Sequence, residues 1–233
     1  MNDRTPRVAI VLLAAGSGRR VGADRNKVLL PLGDVPVLAH SVRTALAVDG
    51  AHRVVVVVRD EDRAEVAEAI APYLGSRDVW LVDGGEQRHH SEHHALQALR
   101  TDIEAGAIDV VAIHDAARPL ASAALFRAVI AVAATEGAAV PALTAGRLND
   151  QDGSLVDGDL VAVQTPQAFA APLLLAAYDA AGAAGFVGTD TAACLERYAD
   201  VAVRQVTGER GNLKITFAGD LPLAEELVAA RSG

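Results

Sequence analysis

Apolar residues run without interruption from Val8 to Leu13 and stop at a glycine-rich turn. A strand buried on both faces reads this way, whereas a half-exposed strand alternates, so this segment is expected to open a parallel sheet. Val37 to Val48 has helical spacing, Val54 to Val58 is a β-branched run, and Glu61 to Ala71 reads as an acidic amphipathic helix. A strand over Val79 to Val82, a helix over about His90 to Leu99, a strand over Val110 to His114 and a helix over Ser122 to Ala134 continue the alternation. Repeated β-α-β units predict an α/β fold: a Rossmann-like, mostly parallel twisted sheet with helices on both faces. Ligands of such sheets bind beyond the carboxyl ends of the strands, so the loops after strands should be the informative ones.

The helical rhythm stops between Pro141 and Val163, where Asn149-Asp150-Gln151-Asp152-Gly153 separates two short strand-like runs. This stretch is expected to be a protruding hairpin or arm. Helices near Pro172 to Ala181 and Asp190 to Tyr198, a strand over Val201 to Val206 and a closing helix over Leu221 to Ala230 complete the chain. With 233 residues and no linker, repeat or low-complexity tract, one domain is expected.

Composition and charge change the picture further. Hydrophobic residues make up 51% of the chain but aromatics only 3%, so small side chains must fill the core. No apolar run reaches the roughly 20 residues of a membrane span, and Met1 to Arg7 lacks a signal-like apolar region, so a soluble, cytoplasmic protein is expected. The one cysteine, Cys194, excludes an internal disulfide and a cysteine-based zinc site, and is expected to be a buried hydrophobe. A net charge of −9 argues against nucleic-acid partners. Against that background Arg19, Arg20, Arg25 and Lys27 cluster in one stretch, which suits an anionic small molecule.

That stretch begins Leu13-Ala14-Ala15-Gly16-Ser17-Gly18-Arg19-Arg20-Val21-Gly22. Glycines after a strand let main-chain N–H groups converge on phosphate oxygens while Arg20 and Lys27 supply charge, which are the needs of a triphosphate. It is not a Walker A loop, since no Gly-Lys-Ser or Gly-Lys-Thr ends it, and Gly16-Ser17-Gly18-Arg19-Arg20 is not completed to the Gly-x-Gly-x-x-Gly of a dinucleotide fingerprint. His114-Asp115 ends an apolar strand, so the Asp115 carboxylate should face the crevice and could hold Mg²⁺ against nucleotide phosphates. Arg118 offers a fork of donors for a phosphate or a surface salt bridge. His89, His90, His93 and His94 form i, i+4 pairs but read best as a solvated helix face.

Taken in order, several motifs form a pattern. Ala-Ala-Gly-x-Gly-x-Arg, then Lys27 and Leu30-Pro31-Leu32-Gly33, resembles the sugar-nucleotidyltransferase superfamily. Gly84-Gly85-Glu86-Gln87-Arg88-x-x-Ser91, His114-Asp115-Ala116-Ala117-Arg118-Pro119, Gln164-Thr165-Pro166-Gln167-x-Phe169, Thr189-Asp190 and Asn212-Leu213-Lys214-Ile215-Thr216 narrow the likeness. Together they resemble the 2-C-methyl-D-erythritol 4-phosphate cytidylyltransferase family and its relative, the ribitol-5-phosphate cytidylyltransferases. The resemblance implies CTP and a small polyol phosphate as substrates, pyrophosphate as product, Mg²⁺ as cofactor and a homodimer clasped through the arm of residues 141 to 163. It implies catalytic roles for Arg20, Lys27 and Lys214 and nucleotide binding by Ala14, Ala15, Gly16, Ser17, Gly18, Gly85, Glu86, Ser91 and Ala116. Acceptor binding would fall to Arg118, Thr165, Thr189 and Asp190, with Asp115 at the metal.

The chain departs from that pattern at named places. Pro141 to Arg147 lacks the family's Asp-Thr pair, and Asp157, Gly158 and Asp159 stand where an arginine is usual. Asn26 replaces a proline before Lys27, and Thr191 replaces a second acidic residue after Thr189-Asp190. Ribitol phosphate or another polyol phosphate that engages Arg147 therefore stands beside methylerythritol phosphate as acceptor. A non-catalytic nucleotide-binding homologue is the alternative of another class.

Overall fold

The computed structural model describes residues 4–16, 25–146, 151, 152, 154, 156, 158 and 160–232. Strand β1 (Val8–Leu13) lies between two parallel neighbours, β4 (Ala51–Val58) and β6 (Val110–Asp115), and β5 (Trp80–Asp83) extends the sheet beyond β4. On the other side β6 pairs with β9 (Gln167–Ala170), which pairs with β7 (Ala138–Thr144), which pairs with β10 (Arg204–Thr207). Strand β9 runs antiparallel to both its neighbours, and β8 (Val161–Val163) adds antiparallel to the end of β7. The fold is thus the expected α/β one, a mostly parallel sheet with two antiparallel members. A separate two-residue hairpin, β2 (Pro31–Leu32) and β3 (Val35–Pro36), follows the Lys27 segment.

Burial of alternate residues on opposite faces explains the continuous apolar runs. Val8, Ile10 and Leu12 pack against α1 (Val37–Leu46), α2 (Arg63–Ile70) and α4 (Ala123–Glu136) through Leu38, Val66 and Phe126. Ala9 and Val11 face the other way, toward α3 (Arg88–Glu104), α5 (Ala171–Ala183) and α6 (Thr191–Tyr198), through Leu96, Tyr178 and Leu195. Cys194 is buried within this second layer, as expected. No helix among the described residues is long and apolar enough to cross a membrane.

Local chemistry sets the element ends. Ser122 caps α4 by accepting the Leu125 N–H at 3.0 Å, and the helix stops at Gly137, whose φ of +93° lies in the region that favours glycine. Asp190 caps α6 through the Ala193 N–H at 2.8 Å. The helix expected over His90 to Leu99 is longer, Arg88–Glu104, and the strand expected to end at His114 carries Asp115 as its last residue.

The arm begins later than expected. Pro141 to Thr144 belong to β7 in the main sheet, because Pro141 falls where β7 needs no donor: Ala138 and Ala139 pair with β9, and Ala142 to Thr144 pair with β8. A proline is tolerated at such a gap in the ladder. Asn149, Asp150 and Gly153 of the expected hairpin tip lie outside the described residues.

The closing helix α7 (Asp220–Ser232) packs through Ala224 on Leu32, Val37, Leu120 and Ile215. The Ile215 N–H donates to the Ala117 carbonyl at 2.8 Å, which ties the segment before α7 to the loop after β6. That tie carries Lys214 to the carboxyl ends of the strands.

Candidate active site

An open cleft of about 570 Å³ lies beyond the carboxyl ends of β1, β4 and β6. One side is lined by the turn after β1, Ala15 and Gly16, and another by Gly85, Glu86 and Ser91 at the start of α3. The two walls touch. A Cβ on Gly84 would meet the Ala15 Cβ at 2.5 Å, and one on Gly85 would meet the His90 Cβ at 2.3 Å, so the strand-to-helix turn closes only with glycine. The Ser91 hydroxyl accepts the Gly85 N–H at 3.0 Å and fixes that turn from inside the helix.

Lys27 opens a short 3-10 turn, Lys27–Leu29, and is nearly buried in the cleft wall. Its Nζ donates to the Ile215 carbonyl at 2.8 Å. The preceding Asn26 shows what its amide contributes: Nδ2 donates to the Ala14 carbonyl at 2.9 Å and to Asp62 at 2.8 Å, while Oδ1 accepts the Val28 N–H at 3.3 Å. A proline could make none of these side-chain bonds. Asp62 in turn pairs with Arg59, which follows β4 and lines the cleft.

Asp115 stands at the centre. Lys214 Nζ donates to its Oδ2 at 2.6 Å, and Arg88 Nη1 donates to its Oδ1. Burial by itself would raise the Asp115 pKa, but these two cations outweigh it and hold the carboxyl well below the usual carboxylate range. The same pairing keeps the Arg88 guanidinium charged against its own desolvation. A row of cations, Lys27, Arg59, Arg88 and Lys214, thus faces one cleft with a single buried carboxylate between two of them.

Behind Asp115 a neutral histidine shapes the turn. His114 Nε2 contacts the Arg118 carbonyl at 3.1 Å, and a carbonyl only accepts, which assigns the proton to Nε2. Nδ1 then accepts from the Thr165 hydroxyl at 3.0 Å, while the Thr165 oxygen accepts the Asp115 N–H at 3.0 Å. Complete burial pushes the His114 pKa down to about 4, so the ring stays neutral near pH 7.

The structure therefore gathers Ala15, Gly16, Lys27, Gly85, Glu86, Ser91, Asp115 and Lys214 around one cleft. Ala14 and Ala116 are buried behind it, and Ala117 takes the place expected of Ala116 in the lining. Arg118 lies off the cleft with Nη1 donating to the Asn212 carbonyl at 2.8 Å, while Thr165 is buried and committed to His114 and Asp115. Thr189 is exposed, and Asp190 uses its carboxylate as a helix cap. Ser17, Gly18 and Arg20 lie outside the described residues, as does Arg147. Arg59 and Arg88 were not foreseen as cleft cations. Arg88 stood inside the Gly84 to Ser91 motif, and its position one residue into a helix after a strand was the available signal.

Of the four clustered histidines, His89 is buried with its ring stacked on Tyr178 at 4.7 Å. His94 meets the Asp83 carbonyl and His93 meets Gln97. The expected solvated face therefore holds for part of the cluster and not for His89.

Comparison with known proteins places this geometry. The profile of the family described as 2-C-methyl-D-erythritol 4-phosphate cytidylyltransferase (IspD) matches residues 8–230. The chain is similar to enzymes of that name from Geobacillus kaustophilus, 34% identical over 227 residues covering 95% of this chain and 96% of the relative. Another, from Microcystis aeruginosa, is 36% identical over 229 residues, covering 95% and 99%. Among solved structures, 4-diphosphocytidyl-2C-methyl-D-erythritol synthase from Anaerococcus prevotii superposes with a TM-score of 0.82 at 26% identity, covering 96% of both chains. The Thermus thermophilus cytidylyltransferase superposes at 0.70 with 28% identity, covering 93% of this chain and 97% of that one. Matched by the family's profile over residues 8–230 and by relatives more than 30% identical over nearly its whole length, this chain belongs to the 2-C-methyl-D-erythritol 4-phosphate cytidylyltransferase family and so to the nucleotidyltransferases.

Proposed function

We propose that this chain joins CTP to 2-C-methyl-D-erythritol 4-phosphate, giving 4-diphosphocytidyl-2-C-methyl-D-erythritol and pyrophosphate, in the cytoplasm. The observation that carries this reading is the convergence of Lys27, Arg59, Arg88 and Lys214 on a cleft whose opposite wall is glycine-rich backbone. Cations suit the triphosphate, and main-chain groups of Ala14 to Gly16 and Gly85, with Ser91 behind them, suit a small pyrimidine.

An acceptor phosphate oxygen attacks the α-phosphorus in line, a new P–O bond forms, and the bond from the α-phosphorus to the bridging oxygen breaks as pyrophosphate leaves. No covalent enzyme intermediate is needed, and the attacking phosphate is already anionic, so no general base is required. Positioning and charge stabilisation do the work. Lys27 is pre-aimed by the Ile215 carbonyl and Lys214 by Asp115, so neither ammonium has to be gathered from solvent. Arg20, Ser17 and Gly18 complete the triphosphate site in this reading, with Glu86 and Ala116 at its nucleotide side.

Arg118, which lies off the cleft with Nη1 on the Asn212 carbonyl, belongs to the acceptor half in this reading. Thr165, Thr189 and Asp190 complete that half in this reading, Thr165 by holding the Asp115 turn. Apolar residues of the expected arm remain exposed in one chain, Val156 at 37% and Val163 at 42%, which supports a homodimer in which the partner covers them.

Among the described residues no three His, Cys, Asp or Glu side chains are grouped to hold a metal ion. One carboxylate beside a triphosphate site nevertheless fits Mg²⁺, which takes few protein ligands and several phosphate oxygens. Asp115 would be that ligand, trading Lys214 for the ion. When bound, Mg²⁺ neutralises charge on the triphosphate.

The test is pyrophosphate release with CTP and Mg²⁺, comparing methylerythritol phosphate with ribitol 5-phosphate and using Lys27→Ala as control. Release with the first acceptor alone is expected. Release with ribitol phosphate alone would move the chain to that substrate, and silence with both would overturn the reading.

A further inference from the structure

One buried carboxylate is left unused by this mechanism. Glu92, on α3 one turn after Arg88, is 1% exposed. The Thr191 hydroxyl donates to its Oε1 at 2.7 Å and the Tyr178 hydroxyl donates to its Oε2. Arg88 Nε lies 2.9 Å from Oε1, yet it makes no well-directed hydrogen bond there. Glu92 therefore acts on Arg88 as a charge and not as a shaped acceptor.

A buried carboxylate without compensation is too costly to persist, so its surroundings must stabilise it. Burial leaves the Glu92 carboxyl raised above its ordinary range on balance, with Arg88 and the two hydroxyls offsetting part of that shift. Each polar partner named above is a donor, as an ionised carboxylate requires. The result is a row of alternating charge: Glu92, Arg88, Asp115, Lys214. Two carboxylates hold two cations, and only the inner three side chains line the cleft; Glu92 stands outside it.

We propose that Glu92 is a positioning residue for the nucleotidyl transfer: its buried charge anchors the Arg88 guanidinium so that Asp115 and Lys214 keep their spacing in the cleft. This rests on the function proposed above. Without the anchor, Arg88 has Asp115 as its single ionic partner and follows it, and the cleft carries one more net positive charge. Attraction of the nucleotide would survive that change, whereas alignment at the reacting phosphorus would not. The defect therefore belongs in kcat and not in KM.

The test uses Glu92→Gln, which keeps the size and one acceptor oxygen, puts an NH2 in place of the other and removes the charge, and the double variant Glu92→Gln/Thr191→Asp, which restores a carboxylate from across the 2.7 Å contact. The single variant is expected to lose about ten- to a hundredfold in kcat with KM for CTP within twofold, and the double variant to recover most of the loss. Arginine-selective ¹⁵N NMR of the substrate-free protein, with the Arg88 signal assigned by Arg88→Lys, gives a readout independent of the substrate. Hindered rotation of the Arg88 guanidinium is expected in the wild type and its loss in Glu92→Gln. Unchanged kcat, an unchanged Arg88 signal, or a folded double variant no better than the single one would each overturn the proposal. Should Glu92→Gln fail to fold, the double variant decides alone: folded with wild-type kcat and signal supports it, folded with neither overturns it. An inactive wild type that still shows the NMR change would sink the function and leave the anchor standing.

Discussion

The Lys214 ammonium lies 2.6 Å from the Asp115 carboxylate, although 99 positions separate them in the chain. Asp115 ends a central strand, while Lys214 arrives on a segment fastened by the Ile215 to Ala117 hydrogen bond. This pair, with Arg88 on the other oxygen, stores cationic charge at the cleft in a neutralised form.

Releasing that charge should separate binding from turnover. Asp115→Asn leaves Arg88 and Lys214 facing the cleft without their shared counterion, so KM for CTP is expected to fall or stay level. Lost alignment should lower kcat about a hundredfold. Steady-state pyrophosphate release at varied CTP reads both, and a variant with unchanged kcat would show that the carboxylate has no part in turnover.

Gly84 should tolerate no side chain. The 2.5 Å approach of a new Cβ to the Ala15 Cβ forces the two walls of the cleft apart. Gly84→Ala is expected to weaken CTP binding by about tenfold or more, roughly 1.4 kcal/mol, and to lower the melting temperature as well, because Ala15 and the turn must shift to admit the methyl. Calorimetric titration against the wild type would check this.

His114 gives the fold a defined response to acid. Its pKa is about 4 in the fold against an ordinary 6.5, so between those values the unfolded chain takes up a proton that the fold refuses. The stability it contributes is complete above pH 6.5 and is lost as pH falls toward 4, about 3 kcal/mol in all. His114→Gln cannot bind that proton, so its deficit relative to wild type should shrink by about 2–3 kcal/mol between pH 7 and 4.5. Urea midpoints at the two values measure it, and a constant deficit would contradict the assignment.

Cys194 should be inert in the folded protein. Burial first, and then the nearby Glu92 charge, push its thiol up to about 11. A chromogenic disulfide reagent at pH 8 is expected to find no reactive thiol until denaturant is added. Rapid labelling of the native protein would show that α6 opens.

Much of the fold was legible in the chain. β-branched runs such as Val54 to Val58 could only be buried strands, and the helices between them followed from spacing. Strand β9 was missed because Gln167-Ala168-Phe169-Ala170 is too short to show a period, and the Pro141 end of β7 was assigned to the arm because a proline argues against a central strand. Pro141 fits because it falls between the stretches of β7 that pair with β9 and with β8, while β10 runs in register beside it. Of the candidate site, Gly16, Lys27, Gly85 and Asp115 were readable because a turn, a strand end or a motif placed each one locally.

Sequence by itself determined which elements form and which loops face the ligand, since these depend on residue period and on turn chemistry within a few positions. Tertiary structure alone decided which charges meet. Ion pairs such as Lys214 with Asp115 and Arg100 with Asp179 join residues far apart in the chain. Coulomb attraction acts through space and carries no trace in local pattern, so nothing in the sequence around Glu92 marks it as the buried carboxylate that Tyr178 and Thr191 close over.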